Sequence, residues 1–499
     1  MIQYQDAVER WGIFELRLKG REDDRLFTDS CLRAEFSKGE RHFEANGFYD
    51  GDGRLLIRFM PDEEGDWSFR VEGASAPSGG YAGQFRCLPA GADNHGPVSV
   101  SGATHFSYAD GKPYTPFGTL LEAWHVQDGS SRARTIRSLD ASPFNKARMS
   151  VIPLTEHAAA GETETSPFAL LPDGQPDGDC FEPAYFTRLE ECVESLSRIG
   201  VEAELILFPA GLERDGAIRL TPEQELRYIR YAVSRLAAYR NVWWTMADLG
   251  DSGGQRQDAD WRAYFRTLRE CDYGHHLSTI HGTPSAFDWG VPWLTHVSLR
   301  EEDVMIASDF TLKYEKPIVI DDCGREGTGS NPMDALTAED MVYRVWEGLS
   351  RGGFAAHGES LRLPDGTSWS VHGGELLGES GERIAMLRGL LEDAPSCLTY
   401  SRLRHDASTL ERRGEYYLQY FGPHRFSSRD FYMQTGEFAV DIIDTWNMKV
   451  ERLEQTYQHR FQIKLPGEIH GALRLRKIGE GTALDEPGKE QFTTLHVED

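Results

Sequence analysis

The stretch Asn241-Val-Trp-Trp-Thr-Met-Ala-Asp-Leu-Gly-Asp251 decides the fold. Its apolar and aromatic start is typical of a strand that is buried on both faces, and it ends in two carboxylates, Asp248 and Asp251. A (β/α)8 barrel presents its catalytic groups in this way, at the carboxyl ends of buried parallel strands. The stretch Lys316-Pro-Ile-Val-Ile-Asp-Asp322 has the same design. We therefore expect the two strand ends to face each other across one pocket.

The middle of the chain, residues 99–400, alternates apolar runs with helical patterns, which is typical of βα units. Eight such units over about 300 residues match a (β/α)8 barrel with insertions. The longest insertion, residues 155–182, is either a loop over the barrel mouth or a surface excursion. The predicted strands are Tyr114–Trp124, Lys146–Ile152, Val201–Phe208, Asn241–Asp248, Leu277–His281, Trp293–Leu299, Pro317–Asp322 and Gly353–Glu359.

The two ends of the chain have a different pattern from the middle. Residues 1–98 and 401–499 contain short alternating runs that are divided by Gly, Pro and Asp, and this spacing is typical of β-sandwiches. The predicted fold class is therefore α/β: a (β/α)8 TIM barrel flanked by an N-terminal and a C-terminal β-sandwich domain.

Composition narrows the choice of partners and compartment. A formal charge of −27 argues against binding to nucleic acid or to anionic membranes, and no apolar run is long enough to span a bilayer. The seven cysteines have no CxxC or metal-ligand spacing, which favours free thiols in a reducing compartment. Met1 is not followed by a secretory leader pattern, so we expect a cytoplasmic protein. The oligomeric state stays open, a homo-oligomer included.

Polar and aromatic side chains at the predicted strand ends should gather in one pocket. Acids, histidines and tryptophans in one pocket suit glycoside chemistry, in which one carboxyl protonates the leaving oxygen and another attacks or activates water. Each residue could instead form a salt bridge or cap a loop, and most aromatic residues belong to cores. The predicted site residues are Trp124, His125, Arg148, Trp243, Asp248, Asp251, His281, His296, Asp321, Asp322, Glu326, His357 and Glu359.

We expect Asp322 to act as nucleophile or base and Asp248 as the acid, with Asp251 and Glu326 as further catalytic candidates. Arg148 and His281 would position sugar hydroxyls, and Trp124 and Trp243 would offer stacking surfaces, with the alternative that Trp243 points into the barrel wall. The predicted partner is a small carbohydrate. No cofactor and no metal are expected. Metal-dependent chemistry is an alternative, since Asp and His side chains can hold a divalent cation, but nothing in their spacing demands one.

The chain also resembles a known family. Short stretches carry the resemblance, among them Gly47-Phe-Tyr-Asp-Gly-Asp-Gly53, Asn94-His-Gly-Pro97, Ser142-Pro-Phe-Asn-Lys146 and Ile443-Asp-Thr-Trp-Asn447. They are similar to bacterial glycoside hydrolases of the large retaining (β/α)8 clan, of the cellulase-like or endoglucanase-like kind. The resemblance covers nearly all of the chain and implies an N-terminal immunoglobulin-like domain, a catalytic barrel and a C-terminal β domain.

Two positions depart from that family. Relatives usually read Ala-Asn-Glu at the end of strand four, where the Glu is the acid/base, whereas this chain reads Ala247-Asp248-Leu249. Relatives read Asp-Glu at the end of strand seven, where the Glu is the nucleophile, and this chain reads Asp321-Asp322. A shorter acid should widen the gap between the two carboxyls, which is about 5–5.5 Å in retaining and about 6.5–9.5 Å in inverting enzymes.

Three hypotheses follow from these departures. Asp248 or Asp251 replaces the missing acid, or the acid comes from Glu326, Glu359 or a histidine, or the protein binds sugar without hydrolysing it. We favour an active glycoside hydrolase that acts on a small oligosaccharide or glycoside with a non-standard acid pair. The alternative is a catalytically inactive sugar-binding relative of the same fold.

Overall fold

The structure is a computed structural model that describes residues 2–20, 27, 32–73, 80–154, 157, 165–212, 218–250, 258–403 and 406–482. The chain divides into two compact units, Met1–Gly348 with Gly353–Ala385 and Leu349–Gly352 with Met386–Asp499. None of the helices in the described ranges has the length and apolar character needed to cross a membrane.

Eight parallel strands form the barrel of the first unit, and all eight predicted strands are confirmed. The barrel closes because the Leu120 N–H donates to the His357 carbonyl at 3.2 Å and the His357 N–H donates to the Gly118 carbonyl at 2.8 Å. In chain order the strands are β1 Gly118–Leu120, β2 Lys146–Ser150, β3 Glu202–Phe208, β4 Val242–Asp248, β5 Ser278–Gly282, β6 Val297–Arg300, β7 Ile318–Asp322 and β8 Phe354–Ala355.

Helices follow most of these strands, as expected for βα units. Local sequence sets their starts: Thr221 and Gln224 form a reciprocal capping box before Pro222, the first helical residue. Residues 283–296 join β5 to β6 through turns instead of a helix. The helices are α1 Gly129–Asp140, α2 Pro183–Arg198, α3 Pro222–Leu236, α4 Asp258–Cys271, α5 Ile306–Tyr314, α6 Ala338–Ser350, α7 Trp369–His372 and α8 Ser380–Glu392.

The N-terminal region is a β-sandwich, as predicted. Its two sheets share the long strand Arg41–Tyr49, and rings such as Phe14, Phe36, Phe59 and Trp67 fill the core between them. The other strands are Ile2–Gln3, Ala7–Glu9, Phe14–Lys19, Arg33–Lys38, Arg54–Phe59, Gly65–Glu72 and Tyr81–Leu88.

A buried group of charges joins this sandwich to the barrel within the first unit. Arg235 of α3 is fully buried, and its guanidinium contacts Glu190 of α2 at 2.6 Å and Asp50 of the sandwich at 2.9 Å. Arg58 of the sandwich contacts the same Glu190 at 2.9 Å and Glu15 at 2.8 Å. Because a buried charge is costly unless it is paired, these contacts specify how the two parts dock.

A small antiparallel sheet closes the amino end of the barrel. Its Phe106 packs against Trp243 of β4, with 5.0 Å between the ring centroids. Trp243 donates its Nε1–H to Oε2 of Glu202 at 3.1 Å. Burial in this floor raises the pKa of Glu202 to about 8. The strands of the small sheet are Val98–Ser101, His105–Tyr108 and Pro113–Tyr114.

The predicted insertion at residues 155–182 is described in part. Residues 155, 156 and 158–164 lie outside the described ranges. Beyond them, Phe168–Leu170 and Pro176–Phe181 pair as an antiparallel hairpin, which the loop prediction did not include.

The second unit is a C-terminal β-sandwich, again as predicted. A six-stranded sheet packs against a two-stranded one, and Val440, Leu473, Phe431 and Ile463 lie in the core between them. The strands of the larger sheet are Thr399–Tyr400, Ser408–Arg412, Tyr416–Gly422, Glu437–Asp444, Lys449–Arg452 and Gly471–Gly479, and those of the smaller are Ser428–Tyr432 and Arg460–Lys464.

Two expectations from the sequence meet the structure only partly. Cys87, Cys192, Cys271, Cys323 and Cys397 are free thiols, and Cys31 lies outside the described residues. The sandwich and the barrel share the first unit, so the three predicted domains, 1–98, 99–400 and 401–499, stay a prediction as independently folding parts.

The buried carboxyl of Glu202 predicts a pH-dependent stability. Its folded pKa of about 8 lies above the unfolded value of about 4.3, so the stability that it contributes is complete below about pH 4 and is lost as the pH rises to about 8. Glu202→Gln stays neutral and still accepts from Trp243. We expect urea unfolding to show the variant gaining stability over the wild type as the pH rises from about 5 to about 8. The exposed control Glu44→Gln should show no such gain, and a pH-independent difference for Glu202→Gln would contradict the prediction.

Candidate active site

The two catalytic candidates lie at the carboxyl ends of their strands. Asp248 is the last residue of β4 and is paired in register with His281 of β5, while Asp322 is the last residue of β7 and is paired with Arg300 of β6. Both therefore belong to the mouth of the barrel, where the sequence places them.

Asp248 is held by a cation and by the backbone. Arg148 Nη2 lies 3.3 Å from Oδ2, the Gly250 N–H donates to Oδ1 at 2.9 Å, and His281 Nε2 is 4.0 Å from Oδ2. Burial alone would raise the pKa of Asp248, but His281, Arg148 and the Gly250 N–H together bring it below its ordinary value. Asp248 is therefore ionised at neutral pH.

Asp322 lies between two arginines and is more deeply placed, with 6% of its side chain exposed. Arg300 Nε is 3.2 Å and Arg325 Nη2 is 3.5 Å from its Oδ2. Burial works to raise the pKa of Asp322, but Arg325, Arg300, His281 and Arg148 outweigh it and hold the pKa below its ordinary value. This carboxylate is also ionised at neutral pH.

Arg148 and His281 connect the two acids electrostatically. Both groups act to lower the pKa values of Asp248 and of Asp322. His281 itself is buried, and burial together with Arg148 lowers its pKa. Its Nδ1 pairs with Ser298 Oγ at 2.9 Å, which fixes the ring.

The sequence analysis missed a third carboxyl, Glu122. Its Oε1 is 3.7 Å from Arg325 Nη2 and its Oε2 is 3.7 Å from His157 Nδ1, and 28% of the side chain is exposed. The strand before it was predicted to run to Trp124, but β1 ends at Leu120. Glu122 therefore lies two residues past a strand end, and an earlier end to that strand would have found it.

A layer of buried charge lies beneath the mouth. The ammonium of Lys146 contacts both Glu204 and Asp321, with 2.6 Å to Asp321 Oδ1. Glu204 also contacts Arg148 at 3.3 Å, and Asp321 accepts from Ser298 Oγ at 2.6 Å. Asp321, which we predicted to bind substrate, is thus paired inside the barrel. The layer supports Arg148 from below and, through Ser298, also His281.

Four predicted contact residues are buried away from solvent, which corrects their expected role. Trp124 donates Nε1–H to Met149 Sδ at 3.4 Å, and His125 Nε2 pairs with the Tyr185 hydroxyl at 2.8 Å. Trp243 and His296 lie in the floor, with 5.5 Å between their ring centroids. Burial lowers the pKa of His125 to about 3 and that of His296 to about 4, so both are neutral. The sequence did not reveal these placements, because the strand ends were assigned without knowledge of how the strands tilt.

Glu326, His357 and Glu359 form a separate buried group. Glu326 accepts from the N–H groups of Glu379 at 2.8 Å and Ser380 at 3.2 Å, which caps α8. Glu359 accepts from two further backbone N–H groups, at 2.8 and 2.9 Å, and burial raises its pKa to about 7. His357 Nδ1 pairs with Thr119 Oγ1 at 3.1 Å.

The ligand atoms of this group lie within 4.8 Å of one another, a spacing that a metal ion accepts. The carboxylates are accounted for by the capping hydrogen bonds, so we assign Glu326 and Glu359 to the support of the loop before α8. Asp251 lies outside the described residues.

A cavity of about 710 Å³ opens beside Leu249, the residue after Asp248. Aromatic rings line it, and the guanidinium of Arg262 covers the ring of Trp293 at 5.1 Å from its centroid. Rings with polar neighbours are typical of sugar-binding surfaces, and they differ from the two tryptophans that the sequence suggested. The aromatic lining consists of Trp261, Phe287, Trp293 and Tyr314.

Comparison with known proteins agrees with this architecture. Residues 105–354 match the catalytic domain described as apiosidase-like. The chain belongs to the apiosidase-like family. Two domains of unknown function flank this match, DUF5060 over residues 7–74 and DUF5605 over residues 405–476. No curated protein matches the sequence.

Solved structures are similar to the chain over most of its length. A candidate glycoside hydrolase from Bacteroides vulgatus is 31% identical, with a TM-score of 0.87 over 95% of this chain and 100% of that chain. A family 5 glycoside hydrolase from the same species shares the fold at 14% identity, with a TM-score of 0.62 over 77% of this chain and 94% of that one. The predicted resemblance to glycoside hydrolases is confirmed, and the fold and the apiosidase-like domain of this chain are those of carbohydrate-active hydrolases.

The buried layer predicts a large cost for loss of its central cation. Lys146→Met would leave Glu204 and Asp321 facing each other in the barrel without their shared ammonium. We expect the free energy of unfolding of the first unit to fall by about 3–5 kcal/mol. Urea titration measures this change, and Lys38→Met, which removes a partly exposed pair with Glu63, should cost less than about 1 kcal/mol. Equal stability of Lys146→Met and wild type would show that the layer is not structural.

Proposed function

We propose that the protein hydrolyses the glycosidic bond of a small oligosaccharide or glycoside, with Asp322 supplying the attack on the sugar. The observation that carries this proposal is the pair of ionised carboxylates, Asp248 and Asp322, around Arg148 and His281 at the barrel mouth. Asp322 either attacks the anomeric carbon itself or removes the proton of an attacking water. Both routes require it to be ionised, which its two arginines favour.

Asp248 has a different role from the proton donor that was predicted from the sequence. A group whose pKa is held low by Arg148 is a poor proton donor at neutral pH. An ionised carboxylate at that place accepts hydrogen bonds from sugar hydroxyls and stabilises positive charge that develops on the sugar ring. Arg148, His281 and Arg300 would hold the two carboxylates in position while the sugar binds.

The aromatic cavity beside Leu249 supports a carbohydrate ligand. Its rings offer apolar faces to a sugar, while Arg262, Asp288 and Lys313 offer polar groups to its hydroxyls. Because Leu249 is the neighbour of Asp248, a sugar chain bound at the carboxylates could extend into this cavity.

A second function has one observation in its favour. Leu249 stands where relatives carry the acid/base, so sugar binding without turnover is the competing hypothesis. It predicts saturable binding by calorimetry, no product, and an affinity that survives Asp322→Asn.

The experiment is a panel of aryl glycosides and small oligosaccharides with product detection. For the substrate that the wild type turns over, we expect Asp322→Asn to lower kcat by about 10²-fold or more, and Asp248→Asn to lower kcat/KM, since each removes one carboxylate charge from the mouth. Asp309→Asn, on the exposed side of α5, is the matched control and should keep wild-type rates. Wild-type turnover in both site variants would refute the proposed roles.

A further inference from the structure

We infer that Glu122 is the proton donor of the reaction and takes the place of the acid that is absent at Leu249. This inference rests on the proposed function, because a proton donor matters only if a glycosidic bond is cleaved. The inferred catalytic residue lies two residues after the end of β1, where no catalytic acid was predicted from the sequence.

The placement of Glu122 relative to Asp322 fits a catalytic pair. One atom, Arg325 Nη2, lies 3.7 Å from Glu122 Oε1 and 3.5 Å from Asp322 Oδ2. The two carboxyl oxygens are therefore separated by no more than the sum of those distances. Glycosidases place their two carboxyls about 5–9.5 Å apart. The shared guanidinium therefore keeps the two carboxyls of this pair below the upper limit of that range.

The backbone of Glu122 is fixed, which a catalytic position requires. Its N–H donates to the Ser370 carbonyl at 2.8 Å, and its carbonyl accepts from the Ser150 N–H at 3.0 Å. The side chain is partly exposed at 28%, whereas that of Asp322 is nearly covered at 6%. A proton on Glu122 therefore exchanges readily with water, and Asp322 is the less accessible of the two.

Burial of Glu122 favours its protonated form. Burial raises the pKa of Glu122 above its ordinary value and the charge of Asp248 adds to this, although Arg325, His157 and Arg148 oppose it. Arg148 and Asp248 lie on β2 and β4, and His157 and Arg325 lie in the segments after β2 and β7. Asp248 and Asp322 have lowered pKa values, so one carboxyl of the three holds its proton longest as the pH rises.

The chemical step balances with these residues. As the bond between the anomeric carbon and the glycosidic oxygen breaks, its electron pair goes to the oxygen, which takes the proton of Glu122. Asp322 supplies the new electron pair to the carbon, either from its own oxygen or by deprotonating water. In the first case Glu122 then deprotonates the water that releases the sugar, and in the second, proton exchange with solvent resets both carboxyls.

Glu122→Gln tests the inference through the leaving group. Phenyl glycosides need a proton donor and dinitrophenyl glycosides do not, because dinitrophenolate leaves without protonation. For the sugar that the wild type accepts, we expect Glu122→Gln to lower kcat/KM on the phenyl glycoside by about 10²–10⁴-fold and to change it far less on the dinitrophenyl glycoside. Glu375→Gln, at an exposed carboxyl, is the matched control and should keep both rates.

The pH profile gives a second readout that a purely structural role would not change. The wild type should show a basic limb above the ordinary pKa of Glu, and Glu122→Gln should lose that limb while keeping the acid limb set by Asp322. Glu122→Asp, which keeps the carboxyl, should restore part of the phenyl glycoside rate.

Equal losses on both substrates, or an unchanged basic limb in Glu122→Gln, would overturn the inference and leave the proposed function standing. Absence of turnover by the wild type on the whole panel would overturn both.

Discussion

The contact of Lys146 with Glu204 and Asp321 is the interaction on which the mouth of the barrel depends. A fully buried ammonium between two buried carboxylates is stable only because each charge compensates the others. Glu204 contacts Arg148 and holds it in place, and Asp321 accepts a hydrogen bond from Ser298, which in turn pairs with His281. The residues that contact the two acids at the mouth are therefore positioned by a layer that itself does not reach the solvent.

This arrangement explains how neighbouring acids come to differ. Asp321 and Asp322 are adjacent in sequence, but strand alternation points Asp321 into the barrel and leaves Asp322 with the arginines of the mouth. Burial raises the pKa of Glu122, and the charge of Asp248 adds to this, whereas the pKa values of Asp248 and Asp322 are lowered. The pKa of one carboxyl at this opening is thus raised while those of the other two are lowered, and acid–base catalysis by carboxyls relies on such a separation.

The sequence allowed the fold to be predicted well and the site only in part. Apolar runs such as Val242–Asp248 give a strong signal because a strand covered on both faces must be apolar along its length.

The same rule does not reveal which residue lies at the mouth. Trp243 and His296 were predicted at the mouth and lie in the floor, since the position along a tilted strand is set by its neighbours. Glu122 was missed because the end of β1 depends on closure with His357, a contact between distant parts of the chain. Glu326 was predicted as a catalytic acid but caps a helix. The sequence could not show this, because the helix begins more than fifty residues later.

The guanidinium of Arg235 also constrains how this protein can be rebuilt. It lies buried with partners on both sides of the seam between the sandwich and the barrel, Asp50 on one and Glu190 on the other. A truncated barrel expressed without its amino-terminal module would expose that cation, together with Glu190, to water. A foreign module grafted in its place would have to bring an acid to the same spot. Domain shuffling at this junction is therefore unfavourable, and the two parts are best inherited and engineered as a single piece.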